Sequence, residues 1–78
     1  MSKKYRTEEE ALELVDRRFQ ERLADEVGED RKGWVRRKFY GWLTDDFIRR
    51  LTEDDEEEVI WDIDDLFDRA RDWVEEPG

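Results

Sequence analysis

The chain has no cysteine, no histidine and no asparagine, and only one proline, one serine and one glutamine among its 78 residues. Each gap closes a class of function. Without cysteine there is no disulfide framework, and without cysteine and histidine none of the Cys/His zinc sites. Without histidine there is no histidine general base and no serine–histidine–aspartate triad. Long apolar runs are missing too. The longest is Val59-Ile60-Trp61, too short for a membrane-spanning helix or a signal-peptide core. The lone proline, Pro77, adjoins Gly78 at the end, so none interrupts a helix from within.

What is present is charge. Acidic and basic side chains make up 51% of the chain, with a net charge of −10. Such a balance often marks disorder, but 13% of the residues are aromatic, including four Trp, and disordered acidic chains are poor in aromatics. Arg outnumbers Lys by 11 to 4. The charge is unevenly divided: residues 1–43 carry a net +1 and residues 44–78 a net −11. The plain reading is a near-neutral half packed beside an acidic half with solvated faces. The functional reading is an acidic face that recruits a basic partner.

Helix signals run through the whole chain. Thr7-Glu8-Glu9-Glu10 forms a capping box with acids at the positive end of the helix dipole. Leu12, Val15, Phe19, Leu23 and Val27 then make an apolar stripe, widened by Ala11 and Leu14. Gly28 sits where a left-handed residue closes a helix. On the outer face, Glu13/Arg17 is attractive at i, i+4, worth roughly 0.2–0.5 kcal/mol, and Arg18/Arg22 is repulsive. Asp30 is the expected cap of a second helix, with Val35, Phe39 and Trp42 as its inner line. Gly33 and Gly41 each cost that helix on the order of 1 kcal/mol relative to Ala. They are expected at close backbone approaches, or at a helix end for Gly41.

Thr44 caps a short third helix with Phe47, Ile48 and Leu51 inward, and Thr52 is expected to cap a long fourth. In that helix Ile60, Ile63, Phe67, Ala70 and Val74 form one seam, and Val59, Leu66 and Trp73 a second at seven-residue intervals. Pro77 and Gly78 stop it. The fold class expected is all-α: a compact, irregular bundle of three longer helices plus one short connector, at about 7–27, 30–42, 45–51 and 53–76. A single domain spans 1–78, with 1–6 and 77–78 frayed.

Chemistry is harder to find. Glu58, Asp62, Asp65 and Asp72, with Arg69 among them, make an acidic ridge flanked by Asp64 and Asp68. Asp62-x-Asp64 begins like a calcium loop, but Leu66 takes the next ligand position and Phe67 stands where the loop needs Gly. A solvated ridge is the expectation. Arg31, Lys32, Arg36, Arg37 and Lys38, interleaved with Trp34 and Phe39, could hold phosphates and stack bases. A net charge of −10 opposes a polyanion. These cations are instead expected to offset the acidic fourth helix.

Trp34, Trp42 and Trp73 lie on or beside apolar stripes, which assigns them to the core. Trp61 falls off both seams; exposed, it would make a homodimer or peptide-docking patch. Ser2 lies near the frayed start, the Thr hydroxyls serve as caps, and Tyr5 and Tyr40 lack an evident base partner. No catalytic, cofactor-binding or metal-ligating residue is therefore assigned, and no cofactor.

The caps at Thr7-Glu8-Glu9-Glu10, Thr44-Asp45-Asp46 and Thr52-Glu53-Asp54-Asp55, the Gly28 stop, the missing Cys and His and the charge-saturated surface resemble a computationally designed (de novo) helical protein. Scarce Ala, two mid-helix Gly, four Trp and unequal helices are similar to designs assembled from helical pieces of natural structures. The resemblance is one of style, over the whole chain. It implies a stably folding scaffold with no natural biochemical function, not an enzyme. No partner is implied, neither nucleic acid nor membrane. The expected state is a monomer, with a homodimer through an apolar or Trp61 surface as the variant. The expected setting is recombinant, soluble in a bacterial cytoplasm. The alternative is a natural, cytoplasmic, salt-adapted interaction domain whose acidic last helix binds a basic protein or imitates DNA.

Overall fold

The computed structural model describes residues 5–75, all of whose regular structure is helical. In chain order the helices are α1 (Glu8–Glu26), α2 (Glu29–Gly41), α3 (Asp45–Glu53) and α4 (Glu56–Glu75). The all-α expectation holds. Residues 1–4 and the stop at Pro77 and Gly78 lie outside the described residues.

The start of α1 is as the sequence predicts. Thr7 Oγ1 accepts from the Glu10 amide at 3.2 Å, and the Glu10 carboxylate accepts from the Thr7 amide at 2.9 Å. Those bonds hold the Glu10 carboxyl below its ordinary range. The buried row is Ala11, Val15, Phe19, Leu23 and Val27, a strict four-residue spacing. Leu12, expected inside, is 39% exposed. The small Ala11 lies one position along, in register with the other four, and takes the inward place.

The α1–α2 junction differs from the expected one. Val27 is extended (φ −119°, ψ 132°), and its amide donates to the Leu23 carbonyl. Gly28 is extended too (φ −68°, ψ 153°), and no described residue has positive φ. Gly28 therefore opens α2 instead of closing α1. Its carbonyl accepts from the amides of Arg31 and Lys32. Asp30, expected as the cap, sits in the first turn beside Glu29. A Cβ at Gly33 or Gly41 would meet nothing within 4 Å, so neither marks a close approach. Gly41 is the last residue of α2, as its second expected role has it.

Thr44 caps α3 by accepting from the Phe47 amide at 3.1 Å. Thr52 does not cap α4. It is buried in the last turn of α3, where its hydroxyl donates to the Arg49 carbonyl at 2.6 Å. Its own carbonyl accepts from the Tyr5 amide at 2.8 Å. The Arg6 guanidinium donates to the carbonyls of Leu51 and Asp54, which suits a cation at a helix carboxyl end. α3 thus runs two residues further than expected, and Asp55 starts α4. The Asp55 carboxylate accepts from the Glu58 amide at 2.9 Å.

The core follows from these registers. Phe19 stands at the junction of three helices, with ring centroids 4.5 Å from Phe39 and 5.7 Å from Phe67. Val35, Leu51, Val59, Ile63, Leu66 and Ala70 complete it. α1 packs against α3 and α4, α2 packs chiefly against α4, and α3 touches α4 more lightly. The molecule measures 43 × 23 × 18 Å, about two helix diameters in its thinnest direction.

Candidate interaction surface

The acids of α4 divide by face. Asp64 and Asp68 turn toward α1, where Arg18 holds Asp64 in a two-pronged contact at 2.8 and 3.0 Å. Arg22 donates to Asp68 at 2.8 Å and to Glu26 at 2.6 and 2.9 Å. Arg71 reaches back from α4 to Glu26. The Arg22 bond drives Glu26 below its ordinary pKa, and the Glu26 bond raises that of Arg22. Carboxylates thus bridge the Arg18/Arg22 pair expected to repel. No Glu13–Arg17 ion pair forms among the described residues. The cations that neutralise α4 come from Arg18 and Arg22 of α1 and from its own Arg69 and Arg71. Of the basic segment in α2, Arg31 reaches Glu75 at 3.7 Å, and Lys38 lies 3.6 Å from the centre of the Trp73 ring.

No group of three or more acids among the described residues could hold a metal ion. Asp62 and Asp64 explain why: Asp64 meets Arg18 on one side, while Asp62 faces Asp54 and Arg50 on another. Burial, then the hydrogen bond and charge of Asp54, with Glu58 behind, push Asp62 up to about 6. Tyr40, expected without a partner, donates its hydroxyl to Asp16 of α1. Burial first and that bond second raise its pKa. This fastens α2 to α1 and makes the phenol a poorer proton donor, the reverse of catalytic activation.

The tryptophans are the main correction to the sequence reading. None is in the core. Trp61 is 74% exposed, Trp34 58%, Trp73 48% and Trp42 37%. Trp61 stands apart with Ile60, Glu56 and Glu57. Trp42 and Trp73 instead wall an open groove of about 780 Å³, with Phe47 of α3 and Leu66 of α4. Arg50, Asp62, Asp65, Arg69 and Asp72 line the rest. Trp34 shares a second, smaller trough with Trp73. The groove was not assigned from the sequence, although one signal for it existed. Val59, Leu66 and Trp73 are spaced by sevens, and a straight α-helix drifts about 20° per heptad. Their exposures of 0%, 7% and 48% trace that drift from the core to the surface.

No protein-family model, no curated protein and no solved structure matches this chain. The arrangement has no metal cluster among the described residues. It offers apolar aromatic area at a charged rim, which is the chemistry of association.

Proposed function

We propose that this protein is an acidic interaction domain that binds a basic protein partner. The observation that carries the reading is the exposure of Trp42 and Trp73 in one groove bordered by Asp62, Asp65 and Asp72. Exposed indoles clustered together are expensive in water and rewarding at an interface. The field of a molecule with net charge −10 draws a cationic partner and repels a polyanion. Presenting ordered carboxylates along α4 also suits imitation of DNA toward a DNA-binding protein. The test is retention of purified basic proteins of known sequence on the immobilised chain at about 0.15 M salt, where the screening length is about 8 Å. Retention at sub-micromolar Kd is expected for at least one. If every member elutes at that salt, the reading fails.

A second reading is that of a self-sufficient, designed scaffold without a natural activity. It is supported by the absence of any unpartnered buried side-chain N or O atom among the described residues. Size-exclusion chromatography with light scattering, joined to circular dichroism across salt, separates the two. The scaffold reading expects a monomer whose helicity is unchanged at low ionic strength. A salt-adapted natural domain loses helicity as salt is withdrawn.

A further inference from the structure

We infer that the groove between α4, the end of α2 and α3 receives a single amphipathic helix of a partner protein, its apolar side on Trp42 and Trp73 and its arginines or lysines on the Asp62–Asp65–Asp72 rim. The inference rests on the interaction-domain reading and names the surface and the partner's chemistry.

Geometry sets the shape of the occupant. α4 contributes Asp62, Asp65, Leu66, Arg69, Asp72 and Trp73, which are positions i, i+3, i+4, i+7, i+10 and i+11 of one helical face. At 1.5 Å per residue this face is about 16 Å long, or three turns of a docked helix. α1 and α2 cover other faces of the same helix. An unpartnered stripe with this spacing is what one helix offers another. The groove is open along its length, which suits a helix better than a small molecule that must be mostly enclosed.

Charge sets its sign. Asp65 is paired with Arg69 at 3.3 Å, with both side chains well exposed. Asp62 faces Asp54 and Glu58, with Arg50 against them. Residues 44–78 carry a net −11. Arg50 and Arg69 line the groove as well, and Asp72 lies 3.8 Å from Arg71, so the excess negative charge is at Asp62, and a cation placed beside it relieves repulsion there. The indole has affinity for cations as well, since Lys38 lies 3.6 Å from the Trp73 ring centre. A second copy of the chain fits poorly, because each brings a net −10.

The probe is a synthetic peptide of about 15 residues, Leu at i, i+3, i+4 and i+7 with Lys and Arg elsewhere, beside a scrambled peptide of the same composition. Binding is read by calorimetry at about 0.15 M salt and by the four Trp indole N–H signals in nitrogen–proton NMR spectra. The ordered peptide is expected to bind at least about tenfold tighter than the scrambled one. Trp42 and Trp73 signals shift and Trp61 does not. Trp42→Ala and Trp73→Ala each weaken binding about tenfold, and Trp61→Ala leaves it unchanged. Asp65→Lys, which reverses a charge in the groove without touching the core, weakens it as well. Equal binding of both peptides, or shifts centred on Trp61, overturns the groove while leaving an acidic interaction domain intact. A dimer that shifts Trp42 and Trp73 without peptide overturns both ideas. If neither peptide binds, the groove inference fails, and retention of basic proteins decides the broader reading separately.

Discussion

The Arg22 guanidinium lies 4.5 Å from the centre of the Phe67 ring while bonding Glu26 on its own helix and Asp68 on α4. One side chain therefore closes the edge of the core and joins two helices. Its stem covers apolar surface and its fork satisfies two carboxylates. Arg22→Ala is expected to cost about 1–2 kcal/mol in urea unfolding, since it uncovers Phe67 and leaves Glu26 and Asp68 to share Arg71 alone. Arg22→Lys recovers the charge but not the fork and should fall between. A loss under about 0.5 kcal/mol for Arg22→Ala would show that the network is only surface decoration.

Asp62 gives a pH signature. Its folded pKa of about 6 lies above the ordinary 3.8. The folded state then holds a proton that the unfolded state has released, so this group's contribution falls as pH rises from about 4 through about 6. Asp62→Asn removes the effect. The variant is expected to gain on the parent across that window, by about 1 kcal/mol or less because solvent screens this partly exposed corner. Thermal melts of both proteins at closely spaced pH values check it. A constant difference between them from pH 4 to 7 would contradict the burial of Asp62 beside Asp54.

The caps make a separable set. Thr44→Ala and Asp55→Ala each remove a side chain that accepts a helix N-terminal amide. About 1 kcal/mol is expected from each. Thr52→Val keeps the buried shape and loses only a bond to a carbonyl within its own turn. It should cost less than either. If Thr52→Val costs more than Asp55→Ala, the start of α4 is misplaced.

Gly33 tests the idea of close packing directly. It is mid-helix with open space where a Cβ would go. Gly33→Ala is expected to stabilise by roughly 0.5–1 kcal/mol, read as a higher urea midpoint. A loss would mean that something does approach this backbone.

These positions also mark how far the sequence carries. Thr7 and Thr44 are legible because each stands alone before a run of acids and apolar residues. Thr52 is not, since residues 52–55 and 55–58 both spell a cap. Only burial, decided by α1 and the Tyr5 contact, chooses between them. Leu12 outranks Ala11 in hydrophobicity, yet register with Val15 favours Ala11. The groove is hidden for a related reason. Trp42 and Trp73 look like core residues on local spacing alone, and only the drift of the seven-residue seam along α4 sets Trp73 toward the surface.

The packing of α1 on α3 and α4 has a consequence for synthesis. α1 leaves the ribosome first, yet Phe67 and Leu51, which help cover its apolar row, are made some forty residues later. At about 5–20 residues per second, that row faces water for several seconds. The charged outer face of the same segment, mostly acidic with Glu13, Asp16 and Glu21 beside Arg17, opposes its aggregation in that interval. The fold then closes late, from its carboxyl end back onto its beginning.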